Sequence, residues 1–250
     1  MFTIPQKVFL FSFFSCLMYL TVEAQNQNAP ISFGVQFGTC IYQGDLAPSF
    51  VGSYHALKPM VSVVVNKPIA NNFSLRGSFS KGEISADESI YSSPAWRKSR
   101  AFKFNSPLTE VATVLVFDFA DQTLDNTGRV SPYLFAGLGL TFLNIHRDWS
   151  KLNISAFDPK SATILGLGQD TLHKLPKVLP VIPIGVGLRY TINSRWSMNT
   201  ELNFRYSFSD YLDGFSKAAD PHANDSYYSI SFGLNYHLLN NGIKCPSAKL

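Results

Sequence analysis

Between Ile31 and Leu238 the chain alternates, residue by residue, between a bulky apolar side chain and a small or polar one. Ile31, Phe33, Val35 and Phe37 interleave with Ser32, Gly34 and Gln36. The pattern returns in Val61–Val65, Phe73–Phe79, Val111–Phe119, Leu134–Phe142, Val178–Tyr190, Trp196–Phe208 and Tyr228–Leu238. A strand turns successive side chains to opposite faces, so a period of two marks a sheet with two chemically different faces; a helix would need a repeat near 3.6. These segments predict eight strands, several of them long enough for a tilted membrane crossing of roughly 9–11 residues. Pro59 and Pro68 bracket the second segment closely. Pro180 and Pro183 each remove a ladder donor from the sixth, which is expected to be locally broken or to begin late.

Alternation alone does not say which face is outside. A soluble barrel turns its apolar face inward, and a membrane barrel reverses the arrangement. Charged residues are 15% of the chain, against about 25% in an average soluble domain, so ions to cover a water-facing wall are scarce. The polar face is mostly Ser, Gly, Asn and Gln, which suits the crowded interior of an eight-stranded barrel. The Phe, Leu, Val and Tyr of the other face suit lipid, with Trp196, Tyr190, Tyr206, Tyr228 and Tyr236 placed to form interfacial girdles. The connections agree. They are short at 70–72 and 193–194, moderate at 121–129, and long at about 41–57, 81–105, 146–176 and 209–226, as periplasmic turns and outer loops are. The predicted fold is all-β: an eight-stranded antiparallel up-and-down transmembrane β-barrel, with a soluble barrel or sandwich as the alternative.

The N-terminal stretch reads as an export signal. Lys7 precedes an almost wholly apolar run from Val8 to Leu20, and Val22-Glu23-Ala24 fits a small-residue cleavage site before Gln25. The expected organisation is a signal peptide over 1–24 and a barrel domain over 25–250 ending in a loose polar tail, located in the cell outer membrane. Phe13-Phe14-Ser15 before Cys16 is a poor lipidation signal. Cys40 and Cys245 fall at opposite ends of the predicted barrel, so no bridge between them is expected. The net charge of +4 is spread without a basic run, which argues against a nucleic-acid partner. The expected surroundings are outer-membrane lipid and lipopolysaccharide.

A charge in a narrow lumen is costly unless paired. Arg76, Arg189 and Arg205 are therefore expected to meet Glu110, Glu201 and Asp118 in a polar plug that fills the lumen, with a conducting pore as the alternative. An enzymatic reading needs a nucleophile and a base near the outer rim, as lipid-A-modifying barrels use. His146 with Asp148 and Ser150 is the candidate; His55, His173 and His222 fall in loops and His237 near the inner end. Nearness in sequence is not triad geometry, and no catalytic residue is assigned. Asp210, Asp213 and Asp220 cluster in the last long loop but show no metal-binding spacing. No metal and no cofactor is expected.

Three stretches carry a resemblance. Gly38-Thr39-Cys40-Ile41-Tyr42-Gln43-Gly44-Asp45-Leu46 is similar to the G-x-x-x-Y-x-G-D-L segment of a family of small outer-membrane β-barrels. Ser131-Pro132-Tyr133-Leu134-Phe135-Ala136-Gly137-Leu138-Gly139 resembles its S/T-P-Y-x-F-x-G-x-G strand. Ser209-Asp210-Tyr211-Leu212-Asp213 resembles its T-D-Y-L-D-D stretch, with Gly214 in place of the second acid. That family includes the small barrel subunit of the type IX (Por) secretion machinery, and most members have no known function. The resemblance implies a non-enzymatic outer-membrane barrel and permits contacts with periplasmic secretion-ring proteins. A lipid-A-modifying enzyme and a narrow porin or adhesin are the alternatives. Tyr42 and Asp45, with Asp210 and Tyr211 brought near by closure, are expected to pack the outer end.

Overall fold

The computed structural model describes residues 31–49, 51–70, 72–120, 127–219 and 225–238. The expected signal peptide, Cys245, Asp220, His222 and the C-terminal tail lie outside them.

Nine strand segments form the wall: β1 (Ser32–Gln43), β2 (Lys58–Pro68), β3 (Phe73–Asp87), β4 (Lys103–Asp118), β5 (Val130–Leu143), β6 (His146–Asp148), β7 (Val178–Thr191), β8 (Trp196–Ser207) and β9 (Ser226–His237). All pairings are antiparallel, β1 pairs with both β2 and β9, and β3 with β4 completes the ring. The short β6 prolongs the β5 side and pairs with the outer end of β4. The chain is thus an all-β, closed, eight-stranded antiparallel barrel. Closure leaves no open sheet edge in the ring, which is what a β-structure in lipid requires.

The wall has two compositions. In the inner two-thirds, outward side chains are apolar and well exposed: Phe37 is 63%, Phe232 61% and Leu138 70% accessible. Side chains this greasy on a face this continuous require a hydrocarbon neighbour rather than water. The inward partners there are mostly Ser, Asn, Gly, Arg and Glu, with a small buried cluster of Val114, Val116, Tyr133 and Phe135 beside them. Further out along β3 and β4 the assignment inverts. Lys81, Glu83, Ser85 and Asp87 face outward, as do Lys103, Asn105 and Thr109, while Ile84, Ala86, Phe104 and Leu108 are buried inside. A Lys58–Glu83 pair at 2.7 Å marks the water-facing side of this upper wall. Residues 81–87 and 103–105 are therefore not loop, as the sequence suggested, but strand standing above the apolar belt.

The prolines behave differently from expectation too. Pro59 and Pro68 lie within β2 near its ends. Strand β7 runs unbroken from Val178, and only its ladder is disturbed. The β5–β7 pairs stop at Ala136–Ile184 and resume at Gly139–Val181. Pro183, which has no N–H, falls in that gap. Pairing with β8 continues through Pro183–Arg205.

The girdle residues lie at both ends of the belt. Trp196 packs edge-on against Tyr236 at 5.0 Å, with Tyr190 nearby on β7 at the short-turn end. At the long-loop end Tyr228 donates its hydroxyl to Val51 O at 2.7 Å.

Two helices sit in the outer loops. Helix α1 (Ala95–Arg100) lies between β3 and β4. Helix α2 (Ala162–Leu172) lies between β6 and β7 and opens with Ser161, whose side chain accepts from the Ile164 amide.

Candidate functional site

The interior is stacked in levels. Nearest the short turns, Arg189 donates to Asp118 at 2.6 Å. Above it, Arg76 donates to Glu201 at 2.7 Å and to Asn66 at 2.6 Å. The Tyr133 hydroxyl and Asn199 amide also donate to Glu201, at 2.5 and 2.9 Å. At the third level Arg205 meets Glu110 at 3.2 Å, and the Tyr227 hydroxyl donates to the same carboxylate at 2.7 Å. All six predicted lumen ions thus sit in three pairs; Arg76–Glu201 and Arg205–Glu110 are buried, and Arg189–Asp118 is partly so. The remaining space among the second and third levels is about 20 Å³, room for roughly one water molecule.

Above the ion pairs the interior turns apolar. Leu46, Ile84, Phe102, Phe104, Leu108, Leu212, Phe215 and Leu167 form one buried cluster. This corrects the expectation of a lumen that is polar from end to end. The outer loops fold inward and give the barrel a hydrophobic cap.

The family-motif residues meet inside this cap, in a pattern the sequence only partly indicated. Tyr42 Oη lies 2.7 Å from Asp213 Oδ2 and 2.6 Å from Asp225 Oδ1. The expected neighbour of Tyr42 was Asp210; the observed partners are Asp213 and the unanticipated Asp225. A phenol has one proton and can donate to only one carboxylate. The second contact must run from a protonated carboxyl to the phenol oxygen, so the pair of acids retains a proton. Burial acts the same way, driving both carboxyls well above the usual carboxylate range. Asp213 also accepts from the Phe215 amide at 2.8 Å, and Asp225 from the Leu212 amide at 3.2 Å. Gly44 is required here, because a Cβ would collide with the Asp225 carboxyl and the Tyr42 hydroxyl. Leu46 is fully buried in the cap, and the Asp45 carbonyl accepts from Arg97 at 3.4 Å.

A further carboxylate, absent from the sequence reading, fastens the last loop. Asp170 of α2 accepts from the amides of Ser216, Lys217 and Ala218 at 2.9–3.1 Å and from the Tyr211 hydroxyl at 3.2 Å. The His173 ring stacks on Tyr211 at 4.0 Å. Another buried acid, Glu88, takes two short hydrogen bonds from Arg100, at 2.5 and 2.7 Å, and Arg100 reaches Ala218 O at 3.3 Å. The outer loops are thereby tied to one another. Pro132 of the middle motif lies elsewhere, on the outward face of β5 near the short turns, where its carbonyl accepts from the Phe119 amide.

The described histidine candidates lie at separate places in the barrel. His146 and Asp148 are exposed on β6. Asp148 accepts from the Ser150 amide at 2.9 Å, which holds its carboxyl below the usual range. His237 Nε2 lies 2.9 Å from Ser197 Oγ at the inner rim. Among the described residues there is no cluster of metal-binding side chains.

A family model described as a domain of unknown function (DUF6089) matches residues 7–241. No curated protein matches the chain. Among solved structures, the attachment invasion locus protein Ail of Yersinia pestis is similar at 10% identity, covering 85% of this chain and 100% of its own, with a TM-score of 0.46. Neisserial surface protein A is similar at 15% identity, covering 83% and 97%, with a TM-score of 0.46. The N-terminal β-barrel domain of Pseudomonas aeruginosa OprF is similar at 12% identity, covering 86% and 100%, with a TM-score of 0.43.

Proposed function

The chain belongs to the DUF6089 family, and from that premise we propose that it is a non-enzymatic barrel of the bacterial outer membrane with a structural or assembly role in a protein-secretion complex. One observation carries the reading: the barrel wears its apolar face outward while its bore is filled, by three ion pairs below and a hydrophobic cap above. Such a body is anchored by lipid and lipopolysaccharide around its belt and transmits nothing through its centre. What it offers to partners is its two ends. The motif resemblance to the type IX barrel subunit supports periplasmic ring proteins as the partners at the short-turn end.

The test is made on cell envelopes. The protein is expected to fractionate with outer membranes, to migrate faster before boiling than after, and to bring periplasmic ring proteins with it from gently solubilised envelopes. Planar bilayers containing it are expected to stay closed, and lipid A from a deletion strain to have an unchanged mass. Recovery of the barrel alone would remove the assembly role, and an altered lipid A would restore the enzymatic reading.

A further inference from the structure

A cavity of about 680 Å³ opens on the outer flank of the barrel, where β1, β8 and β9 end. Its floor is Phe204 and Tyr206, outward-facing residues that continue the apolar belt upward. Its roof is helix α1, which presents Trp96, Arg97 and Arg100. The two arginines are used differently. Arg100 takes both oxygens of Glu88 in short hydrogen bonds. Arg97 is left with two long contacts, 3.4 Å to Glu88 Oε1 and 3.4 Å to the Asp45 carbonyl, and its buried Nε has no partner. A guanidinium favours two short parallel bonds to the oxygens of one anion, which a phosphate supplies and these contacts do not. Trp96 is 46% exposed and the Arg97 guanidinium lies over its ring at 5.2 Å; its amphipathic ring is of the kind that favours the membrane–water interface. Asp45 is the acid on the lining, so the anion's place is on the α1 side of the cavity.

We propose that this cavity holds the phosphate headgroup of a membrane lipid, with Arg97 as its main ligand and the acyl chains descending over Phe204 and Tyr206. The inference rests on the outer-membrane barrel reading and adds a lipid-specific site to it. An apolar floor continuous with the belt selects a lipid over a free anion, because only a lipid uses both surfaces.

The experiment is native mass spectrometry of the full-length protein in detergent. The probes are phosphatidic acid, diacylglycerol with the same chains, and inorganic phosphate. One phosphatidic acid is expected to be retained and diacylglycerol is not. Arg97→Gln is expected to lower phosphatidic acid affinity about tenfold, the loss of a charge-assisted pair. Ser49→Trp, which fills the exposed mouth and leaves Arg97 in place, is expected to abolish retention. Equal retention of diacylglycerol, or undiminished binding by both variants, would overturn the site. So would inorganic phosphate binding as tightly as the lipid. Each variant is first checked for the mobility shift on boiling. A variant that shifts normally and loses only the lipid separates this site from the barrel reading, and absence of the shift in the unaltered protein would defeat that reading instead.

Discussion

The lower and upper halves of this barrel are built from the same continuous strands and follow opposite rules. Along β4, Val111 and Leu115 face out and Glu110, Val114 and Asp118 face in; a few residues earlier, Lys103 and Asn105 face out and Phe104 and Leu108 face in. Backbone geometry does not change at the crossover, because the pairing of β3 with β4 runs unbroken from Phe73–Phe117 to Asp87–Lys103. What changes is the solvent. Where hydrocarbon surrounds the wall, the apolar residues go out and the ions must pair inside. Where water surrounds it, the ordinary hydrophobic core returns. The difference teaches that the phase of alternation, rather than its presence, records the membrane boundary.

The largest test falls on the lower half. Glu201→Ala leaves Arg76 buried without its carboxylate and is expected to cost about 3–5 kcal/mol. This is read as a lowered urea midpoint for the heat-modifiable band, with no new single-channel current. Replacing both Arg76 and Glu201 by apolar residues of similar volume should return most of that loss. An unchanged midpoint in Glu201→Ala would show that this pair does not hold the lumen.

A smaller effect compares the two outer faces directly. Leu115→Lys places an ammonium in the apolar belt and is expected to cost about 2–4 kcal/mol. Ser85→Lys, on the outward face above the belt, is expected to stay within about 0.5 kcal/mol. Equal costs from urea titration would erase the boundary drawn here.

The smallest effect is a pH dependence confined to the cap. Asp213 and Asp225 hold their proton more tightly folded than unfolded, so folding binds a proton. Their contribution is therefore fully present below the unfolded carboxylate value of about 3.9. It is lost as pH rises through the raised folded values. Asp225→Asn is expected to flatten this slope and to leave stability at neutral pH equal to or above that of the parent. A steeper slope in the variant would contradict proton sharing.

The belt was legible because period two persists over long segments with bulky residues on one parity, as in Val111 to Phe119. The upper wall was not. At Lys81 the apolar residues pass to the other parity and shrink to Gly82, Ile84 and Ala86, so a search for one greasy face reads the stretch as loop. Helix α2 went unread as well, because its segment fell within the long connection at 146–176. The cap itself was half visible: the motifs placed Tyr42, Asp45, Asp210 and Tyr211 at one end, but an isolated acid such as Asp225 or Asp170 carries no local mark of its partners. Those partners come from loops far apart in the chain and meet only through closure. The inversion of polarity also follows from closure, since the inside of a barrel exists only once the ring does.

The three ion pairs bear on how the protein is made. Their partners are 125, 95 and 71 residues apart in the chain, and each joins β3 or β4 to β7 or β8 across the bore. No hairpin can neutralise its own charges. A half-built sheet entering a bilayer would therefore carry bare guanidinium and carboxylate groups into hydrocarbon. Insertion should consequently be concerted with the arrival of β7 and β8, with arrested intermediates held outside the membrane until β8 is in place.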